Sequence, residues 1–300
     1  MKQTFYLLII VLILSVGGFA HSETPLCVEI LPTGVGQGAA CLVRVSGPAP
    51  TQSVHGEFQG KRFFLGSMTQ GGAYEGLIGV DLDTHPGKYE IKVNAMDGGR
   101  KISSTALLKV QRKDFGTQRL SLPSSMVDLD AKNLEQVRQE AKRLQLLFEG
   151  FREERFWDGP FLCPVRGEIT GRFGVRRIIN GQRRSPHAGI DLEAEEGTPV
   201  MASNSGRVAL AEELFFSGKS VILDHGWGTY SMYFHLSEIL VQKGNGIMRG
   251  GLLGRVGSTG RSTGPHLHWA IKIDGARVDP FSLLDLAKHY REGTYRSRIP

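Results

Sequence analysis

The chain has 300 residues, 40% hydrophobic and 22% charged, with 39 glycines and a formal net charge of +6. That composition describes a globular protein of about two domains, and glycine well above the usual ~7% points to a turn-rich, β-rich chain. The basic balance (pI ≈ 9.3) suits an anionic polymer such as nucleic acid, acidic lipid or cell wall, but no basic-aromatic nucleic-acid module occurs, so nucleic acid is set aside.

Met1-Lys2, the apolar run Phe5 to Val16 and the small residues ending at Ala20 read as a secretory signal peptide over residues 1–20, with the mature chain starting near His21. The run falls short of the ~20 residues of a membrane span. An uncleaved anchor is the lesser reading, and membrane contact is expected only through it. The protein is therefore expected in the periplasm or the extracellular cell envelope.

Cys27 and Cys41 flank a Gly-rich turn, Thr33 to Ala39, and are expected to form a disulfide in an oxidising compartment, leaving Cys163 as the odd thiol. Three cysteines without a Cys-x-x-Cys exclude a Cys-rich zinc site.

Residues 23–112 alternate in short runs such as Ala40 to Val45, Ser53 to Phe58, Tyr74 to Val80 and Lys88 to Val93, separated by turn signals including His85-Pro-Gly87. About seven strands at this spacing predict an immunoglobulin-like β-sandwich serving as an accessory domain. His55 and His85 have no ligand partner at useful spacing and read as surface residues. Residues 120–151 form the connector: Leu134, Val137, Ala141, Leu144 and Phe148 recur at three- and four-residue spacing, an amphipathic helix with a solvated charged face.

From 157 to 290 strands and turns return. The clearest strands are Gly167 to Phe173, Gly206 to Leu210, Ser220 to Asp224, Thr229 to His235 and His268 to Ile273. Eight glycines lie between Gly244 and Gly264. Without a Gly-Lys-Ser/Thr and a following helix they read as turn glycines, not a phosphate loop. Asp279 to Lys288 reads as a short closing helix, and residues 291–300 as an exposed tail.

The chemistry concentrates in this half. His266 and His268 are two apart in strand-like sequence, so both imidazoles share one face while Leu267 points away. His187 and Asp191 are four apart, about 13 Å in a straight strand, so a bend near Gly189 is needed for them to share one ion. His235 is a further strand histidine with apolar neighbours. His187, Asp191 and one of the His266/His268 pair supply the three protein ligands of a catalytic zinc, with a fourth position left for water. His235 and the remaining histidine are then free to move protons or stabilise an oxyanion. There is no His-Glu-x-x-His, which excludes a helical zincin. An amidohydrolase barrel carries His-x-His early, whereas only 32 residues follow His268 here.

Residues 161–284 resemble the lysostaphin-like (LytM-type) zinc metallopeptidases that cut peptidoglycan cross-links. The likeness rests on Gly171-Arg-Phe-Gly174, His187-Ala-Gly-Ile-Asp191-Leu, Gly197-Thr-Pro-Val-Met-Ala202, Gly206-Arg-Val208, Asp224-His-Gly-Trp-Gly228, Tyr233-Phe-His235-Leu and Gly257-Ser-Thr-Gly-Arg-Ser-Thr-Gly-Pro-His266-Leu-His268-Trp. The resemblance implies that His187, Asp191 and His268 bind one zinc, that His235 and His266 are the catalytic histidines, and that the domain is antiparallel β with a groove over the metal. His225, in the Asp-His-Gly stretch, reads as structural near the groove. All five site positions match, unlike the degenerate zinc-free members that only activate amidases. The expected fold is thus mainly β, and the expected function a zinc endopeptidase acting on peptidoglycan. The alternatives are a catalytically silent wall-binding regulator of an amidase, or a peptidase acting on glycine-rich proteins.

Overall fold

A computed structural model describes residues 26–47, 54–67, 73–97, 100–121, 129–150 and 152–289. The expected signal segment (1–20) and tail (291–300) lie outside the described residues. Among the described residues, no helix is long and apolar enough to cross a membrane.

The fold is mainly β, as the patterning requires. Among its described residues the N-terminal half holds nine strands in two sheets, where the sequence suggested about seven. One sheet runs Cys27–Leu31, Ala40–Ser46, Tyr74–Gly79, Gly66–Ser67; the other runs Gly34–Gly36, Arg100–Gln111, Gly87–Asp97, His55–Phe58, Lys61–Phe64. Between them lies a core that includes Ile30, Val43, Val45, Ile78, Ile91, Val93 and Leu108.

The strand Ala40–Ser46 shows how this half joins the rest. Successive side chains in a strand point to opposite faces. Cys41, Val43 and Val45 enter the inter-sheet core, whereas Ala40 and Leu42 belong to a second core with Trp227, Ile273, Val278 and Leu283 of the C-terminal half. Leu77 and Ile78 divide in the same way. The four-stranded sheet is thus the middle of three layers, apolar on both faces. Polar contacts close the joint: Arg277 Nη2 donates to Asp81 Oδ1 at 2.6 Å and to Asp83 Oδ2 at 2.7 Å, and the Asp279 N–H donates to Gly38 O at 2.7 Å.

The expected disulfide is not formed: all three cysteines are free thiols. Cys27 sits opposite Ser46 in the antiparallel pair, while Cys41 lies five residues back along that strand. Five residues of strand span about 17 Å, far beyond the ~7 Å Cα limit for a bridge. The turn between the two cysteines brings Leu31 opposite Leu42 instead.

The helix Ala131–Glu149 is capped by Asp130, whose side chain accepts from the Asn133 N–H at 2.8 Å. Leu144, Leu147 and Phe148 pack on Leu210, Leu214, Ile222, Tyr230 and Met232 of the C-terminal sheet. Earlier on the stripe Leu134 is exposed and so is Ala141, so only the last two turns are anchored by apolar contact. The buried Glu140 adds a polar tie, accepting from the Phe215 N–H at 3.0 Å.

The C-terminal half is built on a ten-stranded sheet with central order Glu168–Gly171, Gly189–Glu193, His266–Ile273, Thr229–Ile239, Gly218–Asp224, Gly206–Leu214, Gly246–Ile247. Every pairing in it is antiparallel. Along His266–Ile273, Leu267, Trp269, Ile271 and Ile273 enter the shared core. The alternate residues face the other way: Ala270 lies under the helix, Lys272 sits 4.3 Å from the Phe148 ring centroid, and His268 and His266 lie beyond the helix. One strand thus leads from helix-covered surface into an open groove. Asp279 accepts from the Phe281 N–H and caps the closing helix Pro280–Asp285.

Candidate metal and catalytic site

Register assembles the first two donors. Asp191 is the direct antiparallel partner of His268. Ile190 and Leu192 are committed to the core, so Asp191 must project onto the groove face beside His268. His187 precedes this strand in a loop fixed by two backbone hydrogen bonds, Gly174 N–H to His187 O at 2.7 Å and His187 N–H to Val175 O at 3.0 Å. The required bend therefore lies between His187 and the strand start at Gly189.

The three donors meet. His187 Nε2 lies 3.0 Å from Asp191 Oδ1 and 3.0 Å from His268 Nδ1, and His268 Nδ1 lies 2.8 Å from Asp191 Oδ1. Among the described residues this is the trio that could hold a metal ion. Two glycines make the room. A Cβ on Gly171 would stand 2.1 Å from Asp191 Oδ2, and one on Gly189 would stand 2.7 Å from His268 Nε2.

The trio fits zinc. Tetrahedral bonds of ~2.0–2.2 Å place ligand atoms roughly 3.3 Å apart, so a shift of a few tenths of an ångström would admit the ion. His187 Nδ1 donates to Arg172 O at 2.9 Å, which leaves Nε2 as the lone-pair donor aimed inward. Burial lowers the His268 pKa, favouring the neutral ligand form. Burial raises Asp191, but its close polar contacts with His187 and His268 prevail and hold its carboxyl well below the usual carboxylate range. One carboxylate and two neutral imidazoles would leave a bound Zn²⁺ site net positive.

His235 and His266 form a second pair on the same groove, with ring centroids 4.9 Å apart. Each is fixed by a carbonyl: His235 Nδ1 donates to Thr259 O at 2.8 Å, and His266 Nδ1 donates to Gly264 O at 2.8 Å. This leaves both Nε2 atoms for chemistry. His266 Nε2 is 3.9 Å from Asp191 Oδ1. Burial pushes the His235 pKa down to about 4, so its ring is neutral near pH 7.

His235 reaches the groove by breaking the alternation of its strand. Its neighbour two back, Tyr233, is buried in the core, so a regular strand would bury His235 too. Instead His235 has φ of 65° and the register of the Gly218–Asp224 and Thr229–Ile239 pair shifts nearby. Such a bulge re-aims a side chain and stores strain, a feature concentrated at functional sites.

The groove holds about 370 Å³ and is also lined by Gln118, Arg177, Glu193, Arg261 and Ser262. Phe234, opposite His268 in register, stacks on its ring at 5.6 Å and 3°. Sequence reasoning missed Phe234, Arg177 and Arg261. The strand alternation at His268 was a usable signal for the first only once the pairing is known. His225 lies apart from the groove lining: it is fully buried and bonds Ser205 O and Ser231 Oγ at 2.7 Å each. His85 is exposed and His55 half-buried.

A two-histidine, one-carboxylate cluster beside two carbonyl-anchored histidines, in an antiparallel sheet, is an arrangement suited to a single-metal hydrolase. The comparisons narrow it: residues 185–280 match Peptidase family M23. It is 39% identical over 112 residues to the peptidoglycan DD-endopeptidase ShyA of Vibrio cholerae, covering 37% of this chain and 26% of that protein. It is 45% identical over 122 residues to the DD-carboxypeptidase/endopeptidase Mpg of Neisseria meningitidis, covering 40% of this chain and 27% of that protein. The chain thus spans about a quarter of the length of these relatives. A Pseudomonas aeruginosa crystal structure assigned to peptidase M23 superposes with a TM-score of 0.62 at 29% identity, covering 81% of this chain and 92% of that one.

Proposed function

We propose that the protein is an exported, zinc-dependent endopeptidase that hydrolyses peptide bonds in peptidoglycan. The observation that carries this reading is the convergence of His187 Nε2, Asp191 Oδ1 and His268 Nδ1 within 3.0 Å of one another, beside two histidines whose Nδ1 atoms are tied to carbonyls. The name of ShyA, a peptidoglycan DD-endopeptidase, supports peptidoglycan as the substrate, that of Mpg, a DD-carboxypeptidase/endopeptidase, supports peptide-bond hydrolysis, and residues 1–20 support export.

When held by His187, Asp191 and His268, zinc supplies a Lewis acid for the scissile carbonyl and makes water more acidic. The chain's own residues do the rest. Neutral His235 presents Nε2 as a proton acceptor, and His266, its Nδ1 likewise tied to a carbonyl, turns Nε2 to the same groove. One takes the proton of the attacking water and returns it to the leaving amine. The other, carrying on Nε2 a proton taken up from solvent, donates a hydrogen bond to the oxygen that gains charge and keeps that proton. Phe234, stacked on His268, fixes the plane of that ligand ring.

A zymogram on purified cell wall, with and without chelator, tests the reading. Clearing by the untreated protein, lost on chelation and restored by zinc, is expected. Folded, zinc-loaded protein that leaves the wall intact would overturn it. N-terminal sequencing of the exported protein should begin at or near His21; an intact Met1 would instead indicate an uncleaved anchor.

A further inference from the structure

The groove carries more positive charge than its metal cluster uses. Arg177, on the strand Arg176–Ile179, and Arg261, in the loop between Leu252–Val256 and His266–Ile273, both line it. Arg177 reaches Asp191 on the groove floor, and Arg261 is held at the turn after Gly206–Leu214, its backbone N–H donating to Phe216 O at 2.8 Å. Arg177 Nη2 reaches Asp191 Oδ2 only at 3.4 Å, while its Nε is buried and meets no acceptor among the described residues. Arg261 lies over the Phe216 ring at 4.2 Å and has no carboxylate partner among the described residues. Arg184, whose N–H bonds Arg177 O at 2.9 Å, adds a third positive charge. The opposing carboxylates in the lining are Asp191, claimed by the two histidines, and Glu193, which pairs with neither arginine among the described residues. Burial lowers the Arg261 pKa, and the charges of Arg177 and Arg184 lower it further.

Like charges crowded together, with a buried donor left open, are an arrangement that an anion completes. A guanidinium presents a planar fork that matches a carboxylate through two parallel hydrogen bonds. We propose that Arg177 and Arg261 form a carboxylate-binding subsite that seats a free carboxylate of the peptide substrate beside the scissile bond. The inference rests on the peptidase reading above and deepens it: the substrate is a stem peptide with an unamidated carboxylate close to the cleaved bond. Arg177 and Arg261 are then binding residues, placed to fix the substrate's register along the groove without touching the reacting atoms.

The test uses the zinc-loaded full chain and synthetic cross-linked stem peptides. The peptides are identical except that either the terminal or the side-chain carboxylate is free or carboxamidated. Wild type should favour one free acid over its amide by about tenfold or more in kcat/KM, mainly through KM, as expected for charge-assisted hydrogen bonds. The position at which amidation hurts identifies which carboxylate is held. In Arg261→Gln that ratio should collapse toward one, with Arg261→Lys intermediate because an ammonium has no fork. Calorimetry of the same peptides with zinc-loaded His235→Ala reads binding without turnover. Equal handling of acid and amide by wild type, or an unchanged ratio in Arg261→Gln, would overturn the subsite while leaving the peptidase reading intact. Absence of cleavage with the acid preference retained in calorimetry would overturn the peptidase reading but keep the subsite. Tighter competition by a phosphodiester than by a carboxylate would reassign the arginines to a phosphoryl ligand and overturn the proposal.

Discussion

Gly171→Ala separates metal binding from folding. Gly171 is absent from the positive-φ positions, so its backbone tolerates alanine, but the new Cβ would stand 2.1 Å from Asp191 Oδ2, 2.7 Å from Cγ and 2.9 Å from Cβ. Side-chain contacts of that kind essentially never fall below 3.0 Å, so the carboxylate must move by about 0.9 Å. Asp191 Oδ1 now sits 2.8–3.0 Å from His268 Nδ1 and His187 Nε2. A displacement of that size removes it from any common tetrahedron with them. Disturbing the group that orients a metal ligand costs about 10–100-fold in affinity, and displacing the ligand itself should cost at least the upper end. Each decade is about 1.4 kcal/mol of binding free energy. Competition titration against a chromophoric chelator gives the zinc affinity, and thermal unfolding of the zinc-free protein gives the stability. We expect zinc affinity to fall 100-fold or more while the zinc-free unfolding midpoint stays close to wild type. A variant that binds zinc as wild type does would refute the geometry assigned to Asp191.

Other outcomes follow from the same contacts. Changing His187, Asp191 or His268 to Ala should lose both zinc and activity, whereas His235→Ala and His266→Ala should keep about one zinc and lose ~10²–10⁴ in turnover; metal analysis beside a wall-hydrolysis assay checks both. His225 has its pKa lowered by burial to about 4, so the unfolded chain binds its proton first as pH falls. Stability from neutral His225 is therefore complete above pH ~6.5 and lost between ~6.5 and 4, amounting to roughly 3 kcal/mol. The stability gap between wild type and His225→Gln in denaturant melts should accordingly narrow from pH 7 to 4.5; a constant gap refutes the assignment. Thiol labelling under non-reducing conditions should count three free cysteines after unfolding, with Cys41, buried and pushed up to about 12, reacting only then.

The candidate site residues stand out in the sequence because their chemistry is local. His266 and His268 share a face by strand periodicity, and Asp191 lies between two apolar residues, Ile190 and Leu192, that must turn inward. What it could not show is register, and hence that Asp191 meets His268 directly or that Phe234 stacks on that ring. The bulge at His235 was equally hidden, since simple alternation places it with buried Tyr233. In the N-terminal half, the apolar run Ala40-Cys-Leu-Val announced a strand but not its two partners. Leu42 serves the C-terminal core and Cys41 the local one. That two-sided burial also explains why Cys41 turns away from Cys27. On the helix, the 3–4 spacing of Leu134 and Ala141 marked an apolar stripe, but the sheet beneath ends before reaching them, so the stripe is buried only from Leu144 to Phe148.

The most direct test of the central claim is mass spectrometry of cell-wall fragments after incubation with zinc-loaded protein, with chelated protein and with His266→Ala. The account predicts cross-linked peptide fragments converted to monomers that gain one water per cut, with a single new amino and carboxyl terminus, in the zinc-loaded wild-type sample alone. An unchanged cross-link profile with folded, zinc-loaded wild type, or equal cleavage after chelation, would contradict it.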